Sequence, residues 1–192
     1  MSATESSARR VAGVIVGQSD LRVWGLTSEL RLQRQLARFR VVGDAADAQR
    51  LVLLRADWVY DEALVRGLVD SVDDVALTAP DGTVVALAVA ATATDAAAML
   101  AEHRAPAGAR LVTPAQLADG YNDALRKREP PYLMPLNEAD LPAIERRIFA
   151  GSYKGVTDLV TLYAWPAPAR WVTRVCANNG ITPNQVTSAS LV

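Results

Sequence analysis

Two short stretches of this chain carry residue types that could hold a phosphorylated ligand. In the first, Val14-Ile15-Val16-Gly17-Gln18-Ser19-Asp20-Leu21-Arg22, an apolar run leads into a loop with one glycine and then an arginine. Backbone N–H groups in such a loop, with a following helix N-terminus, turn positive ends toward phosphate oxygens. A phosphate cradle uses several glycines for close backbone approach. Here the glycine after Gly17 comes only at Gly25, so an ordinary strand-to-loop turn accounts for the residues too. In the second stretch, Leu53-Leu54-Arg55-Ala56-Asp57, the aspartate stands at the carboxyl end of another apolar run. Open α/β sheets bind ligands at that end of their strands. A carboxylate there can hold Mg2+ together with a substrate phosphate. Asp57 equally suits a turn, and Asp61 a helix cap, so both readings stand.

Other chemistry finds little support. His103 is the single histidine and lies in a loop with Pro and Ala, so a histidine metal cluster is excluded. Cys176 is the single cysteine, which excludes an intrachain disulfide and fits a reducing compartment. The net charge of -1 points to no nucleic-acid partner. With 192 residues, 51% of them hydrophobic, the chain can bury a sizeable core. No stretch reaches the ~18 to 20 apolar residues that span a bilayer, so the sequence taken alone reads as soluble.

The elements that would position Gly17 and Asp57 follow from periodicity. Val11 to Val16 and Leu51 to Leu54 are continuous apolar runs, as expected of strands buried on both faces. Ser28 to Arg40 has Leu30, Leu32, Leu36 and Phe39 at helical spacing with a basic outer face. Phe39 to Val42 is a candidate short strand. Asp61 to Asp70 reads as a helix capped by Asp61. Val75 to Thr78 and Val84 to Ala90 flank Pro80-Asp81-Gly82, a hairpin signal in which Asp-Gly supplies a left-handed turn. Asp95 to Glu102 is a short helix, and Thr113-Pro114 opens another near Ala115. Strands alternating with helices imply an α/β domain of three layers around a mostly parallel sheet.

The pattern changes near Arg126-Lys127-Arg128-Glu129-Pro130-Pro131, where the prolines end a helix and impose an extended passage from Tyr132 to Pro135. Three helices are then expected, over 138–149, 156–163 and 168–178. Lys154 and Asp158, four apart, share a helix face. Tyr153, Tyr163, Trp165 and Trp171 are interleaved with Lys154, Arg170 and Arg174. Aromatic rings favour a headgroup layer and cations favour anionic lipid, although the same spacing suits a helical cap with buried rings. Gly180 is placed to stop the third helix. Thr182 and Pro183 then open another, followed by Val186, Ala189, Leu191 and Val192.

Gly180-Ile181-Thr182-Pro183-Asn184-Gln185-Val186-Thr187 resembles the start of the first transmembrane helix of CDP-alcohol phosphatidyltransferases. The run Gly151-Ser152-Tyr153-Lys154-Gly155-Val156-Thr157-Asp158, with Tyr163-Ala164-Trp165-Pro166, is similar to the juxtamembrane region of members with a soluble N-terminal domain. Residues 11–125 resemble a sugar-phosphate nucleotidyltransferase. The carriers are the loop at Gly17 and Arg22, then Gly25-Leu26-Thr27, then Arg31-Leu32-Gln33-Arg34-Gln35-Leu36, then a strand ending at Asp57.

The resemblance implies a three-layer Rossmann-like domain of nucleotidyltransferase type over 11–136, after a disordered start at 1–10. It also implies a helical juxtamembrane region over 137–180 and the beginning of a truncated spanning helix over 181–192. Gly17, Gln18, Ser19, Arg22 and Asp57 would face a nucleotide, CTP or a CDP-alcohol, with Asp57 as the ligand for Mg2+. Lys154, Trp165, Arg170, Trp171 and Arg174 would face the membrane. The family's placement is the cytoplasmic side of the inner membrane, in phospholipid synthesis with CMP as leaving group, and a homodimer is the expected association.

Two departures bear on activity. The Pro-Lys-Pro element, whose lysine neutralises triphosphate charge in the transition state, is replaced near Thr27-Ser28-Glu29. The Asp-Gly-x-x-Ala-Arg run that holds the metals of phosphatidyl transfer does not occur, because Asp81-Gly82 continues as Thr83-Val84-Val85-Ala86 and Asp119-Gly120 as Tyr121-Asn122-Asp123-Ala124. The implied role is a degenerate nucleotide-binding or regulatory domain. The alternatives are an active Mg2+-dependent cytidylyltransferase and a non-catalytic module for membrane docking or oligomerisation.

Overall fold

The computed structural model describes residues 10–39, 41, 45, 48–118, 121–122, 127–128, 130–152, 166–182 and 184–186. The expected helix at 156–163 lies outside these, as do Lys154 and Trp165, Pro183, the last residues from 187 on, and the start at 1–9.

Strand β1 is Val11–Val16. A short hairpin follows, β2 at Arg22–Val23 and β3 at Leu26–Thr27, and then helix α1 at Ser28–Arg38. Strand β4 is Arg50–Arg55 and β5 is Trp58–Tyr60. Helix α2 is Glu62–Asp70, with Asp61 as its cap: the Asp61 carboxylate accepts the Ala63 N–H at 3.0 Å. Strands β6 at Val75–Thr78 and β7 at Val84–Val89 form the expected hairpin. Its loop is a tight turn in which the Gly82 N–H donates to the Ala79 carbonyl, and Gly82 lies at φ +85. A type I turn closed by a left-handed glycine is a preferred three-residue hairpin loop. The exposed Asp81 carboxylate accepts the Thr83 N–H, which holds it below the usual carboxylate range.

Helix α3 is Ala93–Ala101, starting two residues before the expected Asp95 because Thr92 takes the cap and accepts the Asp95 N–H. Strand β8 is Arg110–Val112, and α4 is the single turn Pro114–Leu117. Strands β9 at Tyr121–Asn122 and β10 at Lys127–Arg128 pair antiparallel. This corrects the expectation of a helix running to the prolines: Lys127 and Arg128 are already extended. Strand β11 is Leu133–Pro135, α5 is Leu141–Ser152 and α6 is Pro166–Asn178.

The central sheet has five strands in the order β1-β4-β7-β6-β8. Pairs β1–β4 and β6–β8 are parallel, while β7 opposes both β4 and β6. The architecture is therefore mixed α/β with a mostly parallel sheet. The ends β1 and β8 are not joined, so it is not a barrel.

The unbroken apolar runs acquire their reason here. Val52 and Leu54 of β4 face one way and pack with Leu32 and Leu36 of α1 and Leu64, Val65 and Leu68 of α2. Leu51 and Leu53 face the other way and pack with Ala96 and Leu100 of α3. A strand covered on both faces cannot alternate apolar with polar residues.

Phe39 is not the start of a strand. It caps α1, and its N–H donates to the Leu36 carbonyl at 3.0 Å. Arg40 and Val42 lie outside the described residues.

Candidate functional site

The first expected site residues gather at the carboxyl ends of β1 and β4, which are adjacent and in register from Val11 opposite Arg50 to Val16 opposite Arg55. The Ala56 N–H donates to the Val16 carbonyl at 2.9 Å, closing the end of this strand pair. Gly17 follows at φ +80, exposed, and a Cβ there would meet nothing within 4 Å. Gln18 is exposed and Ser19 half-buried.

No helix starts directly after this loop, contrary to the simplest phosphate-cradle arrangement. The β2–β3 hairpin intervenes, and α1 begins only at Ser28, where Thr27 caps it by accepting the Leu30 N–H at 3.4 Å. The start of α1 is nevertheless tied to the same strand end, because the buried Ser28 hydroxyl donates to the Ala56 carbonyl. Arg22 is exposed, and its Nη1 donates to the Gly25 carbonyl at 3.2 Å, across its own turn.

Asp57 is held by a partner that sequence reading passed over. Arg55 donates through Nε to Oδ1 at 2.9 Å and through Nη2 to Oδ2 at 2.5 Å, a fork of two parallel bonds. That bonding, with the carboxylate charge behind it, holds the guanidinium's pKa above its ordinary value. Arg55 Nη1 also donates to the Leu100 carbonyl at 3.4 Å and stands 3.1 Å from both ring nitrogens of His103. His103 itself adopts φ +58, a conformation uncommon for a side chain with a Cβ. The strand end is thus a small polar constellation of Arg55, Asp57 and His103 beside an open glycine loop. The signal available in sequence was the spacing of Arg55, the last residue of the strand, and Asp57, on either side of Ala56.

Mg2+ is commonly held by one or two carboxylates plus substrate phosphates. Asp57 supplies one carboxylate, so it fits a metal that arrives with a phosphate. Both of its oxygens now bind Arg55, so that metal and Arg55 would compete for them. Among the described residues no group of three or more His, Cys, Asp or Glu side chains converges.

Directly behind this edge, Tyr60 is fully buried. Its hydroxyl donates to the Val85 carbonyl at 2.7 Å and accepts the Arg55 N–H at 3.0 Å, which fixes the end of β4. Arg31 of α1 lies against the same region, with Nη2 donating to the Trp58 carbonyl at 3.1 Å and Nη1 to Gln35. Burial lowers its pKa below the ordinary arginine value.

Of the second expected set, Arg170, Trp171 and Arg174 lie on α6, which packs on the α/β part. Gly25, at the tip of the β2–β3 hairpin, approaches α6 so closely that an added Cβ would come within 2.6 Å of the Ala177 carbonyl oxygen. Arg174 Nη2 lies 2.6 Å from Oε2 of Glu145, a buried carboxylate on α5. Arg170 is half-buried. Trp171 is 69% exposed and shares an apolar surface with the exposed Val172 and Val175.

At the end of α6, Gly180 adopts φ +68, the Gly180 N–H donates to the Ala177 carbonyl, and the Ile181 N–H donates to the Cys176 carbonyl. This is a Schellman stop. Immediately beyond it, the Thr182 N–H donates to Gln185 Oε1 at 2.8 Å while the Gln185 N–H donates to Thr182 Oγ1 at 3.4 Å, a capping box opening a new helical turn. The stop at Gly180 and the cap at Thr182 are as the sequence predicts. Ile181 and Val186 are exposed. Among the described residues no helix is long and apolar enough to cross a membrane.

No protein-family model and no curated protein matches this chain.

Proposed function

We propose that this chain is the soluble domain of a membrane protein of the CDP-alcohol phosphatidyltransferase kind, in which a Rossmann-like nucleotidyltransferase-type fold of three layers binds a cytidine nucleotide without transferring it. In that role it positions or regulates the partner domain that displaces CMP from the CDP-alcohol at the cytoplasmic face. The observation that carries the reading is the exposure of Trp171, Val172 and Val175 on α6 and of Ile181 and Val186 beyond Gly180. A soluble surface seldom keeps a tryptophan so exposed beside two valines unless it meets another apolar phase. Indole rings settle at the headgroup layer.

Co-flotation with vesicles containing phosphatidylglycerol tests this. The chain should float with the vesicles, and Trp171→Ser should lower the bound fraction at least fivefold. A wild-type chain left at the bottom of the gradient with vesicles of every charge would remove the membrane reading.

A second reading, an active Mg2+-dependent cytidylyltransferase, is favoured by the open Gly17 loop beside Asp57. Calorimetric titration of CTP, CDP and CMP with Mg2+ separates the two. Saturable binding abolished by Asp57→Ala, with no pyrophosphate released from CTP and sugar or inositol phosphates, supports a binding domain. Turnover that depends on Asp57 supports the transferase, and no heat with any nucleotide rejects both uses of this edge.

A further inference from the structure

The β2–β3 hairpin ends in a turn of unusual composition. Its two central residues, Trp24 and Gly25, lie at φ +51 and φ +75. Positive φ at both positions is the geometry of the tight turn best matched to strand twist, and Asn-Gly or Asp-Gly is its ordinary choice. A bulky aromatic residue in the left-handed region is disfavoured and persists only where its surroundings over-determine it. Around Trp24 those surroundings come from α5, while α6 stands against Gly25. The Trp24 N–H donates to Glu145 Oε1 at 3.3 Å. The Trp24 ring packs on Phe149 with centroids 5.8 Å apart. Val23 is buried with Val59, Leu136 and Ile144.

Glu145 is 6% exposed, so its charge requires partners. Its two oxygens divide them: one accepts from the hairpin, and the other holds Arg174 on α6. Gly25 adds a backbone contact to the last turn of the same helix.

We propose that Glu145 and the Trp24–Gly25 turn form a latch that makes α6 and the β2–β3 hairpin move as one body. Release of α6 removes the cation from a buried carboxylate and the Ala177 backbone from Gly25. The hairpin then loses its stop at Gly25, and the Glu145 carboxylate that accepts the Trp24 N–H loses its counter-charge in the same event. The hairpin carries Arg22 and leads back, through residues 18–21, to Gly17 at the end of β1. Whatever displaces or fixes α6 is therefore felt at the open strand end, and a ligand that orders that end favours the docked helix. This coupling needs only the contacts named, so it stands whether or not the ligand is a nucleotide.

Hydrogen exchange followed by mass spectrometry on the full chain tests the latch, with peptides from β4 as the internal reference. Arg174→Gln should speed exchange at least tenfold in peptides covering 171–178 and, in parallel, in peptides covering 22–27, with β4 unchanged. Arg170→Gln, one turn away, should alter neither. Glu145→Gln is the second variant: its side-chain carbonyl can still accept from Trp24, yet the ion pair is gone. It should also loosen both segments, showing that the hairpin responds to α6 and not merely to a lost acceptor. Faster exchange in α6 with an unchanged hairpin in either variant would overturn the coupling, and so would no change in either segment. Should Arg174→Gln speed β4 as well, the conservative Arg174→Lys should restore both segments together, and restoration of α6 alone would again overturn it.

Discussion

Replacing Gly25 with alanine should cost about 2–4 kcal/mol of stability, whereas the same change at Gly17 should cost about 1 kcal/mol. Both glycines have positive φ, at +75 and +80, so both variants carry the strain of an L-residue in the left-handed region. They differ in what the new methyl group meets. At Gly17 there is open space, but at Gly25 the Ala177 carbonyl oxygen lies 2.6 Å away, closer than a real Cβ contact permits. Backbone rather than a flexible side chain stands in the way, so α6 or the hairpin must shift. Urea unfolding followed by tryptophan fluorescence measures both variants. Equal losses at the two positions would mean that α6 does not rest on the hairpin in solution.

The second large effect is alkaline. Burial raises the pKa of both Tyr60 and Tyr132 above the ordinary tyrosine value of 10.0, and that of Tyr132 to about 12. A tyrosine whose folded pKa is raised keeps its proton longer in the folded chain than in the unfolded one. Between the two values the unfolded state binds fewer protons, so stability falls as pH rises. The stabilisation is complete below pH 10 and is lost above it, the Tyr132 share by about pH 12. A shift of two units is worth about 3 kcal/mol, and the fully buried Tyr60 adds to it in the same direction. Urea midpoints should therefore drop steeply above pH 10, together with a late rise in tyrosinate absorbance. Tyr132→Phe should flatten the decline. An unchanged slope in that variant would place the pH sensitivity elsewhere.

How much of this could be seen in the sequence depended on whether the determining forces were local. Strands β1 and β4, the caps at Asp61 and Thr182, the stop at Gly180 and the turn at Asp81-Gly82 were all legible, because each depends on residues within a few positions of one another. The opposed direction of β7 followed from the hairpin, but its place in the middle of the sheet did not, since strand order is set by packing between distant segments. The short strand β5 was hidden for the same reason, and β11, whose extended backbone the prolines foretold, could not be assigned its partner. Trp58–Tyr60 pairs with Leu133–Pro135, a partner far along the chain, and three residues carry too little periodicity to be read.

At the candidate site, Gly17 and Asp57 fall where the strand ends place them. The Arg55 fork on Asp57 was missed because an arginine ending a strand looks like a solvated boundary. Glu145 was missed because its two partners, Trp24 and Arg174, come from opposite ends of the chain. A buried carboxylate on a mixed helix is indistinguishable from an exposed one by spacing alone.

The hairpin at Pro80-Asp81-Gly82 has a consequence for how this molecule reaches its structure. Strands β6 and β7, nearest neighbours in the sheet, are also joined by its shortest central connection, from Ala79 to Thr83. Closing the long connection between β1 and β4 costs about 2 kcal/mol more in chain entropy. The order of assembly should therefore run from the middle outward: β6 and β7 meet on the microsecond scale typical of hairpins, and the completed pair offers β4 a template edge. The strand end that carries Gly17 and Arg55 is consequently among the last parts of the sheet to form. A chain emerging during synthesis should therefore complete the edge that carries Gly17 and Arg55 only after the hairpin behind it is in place.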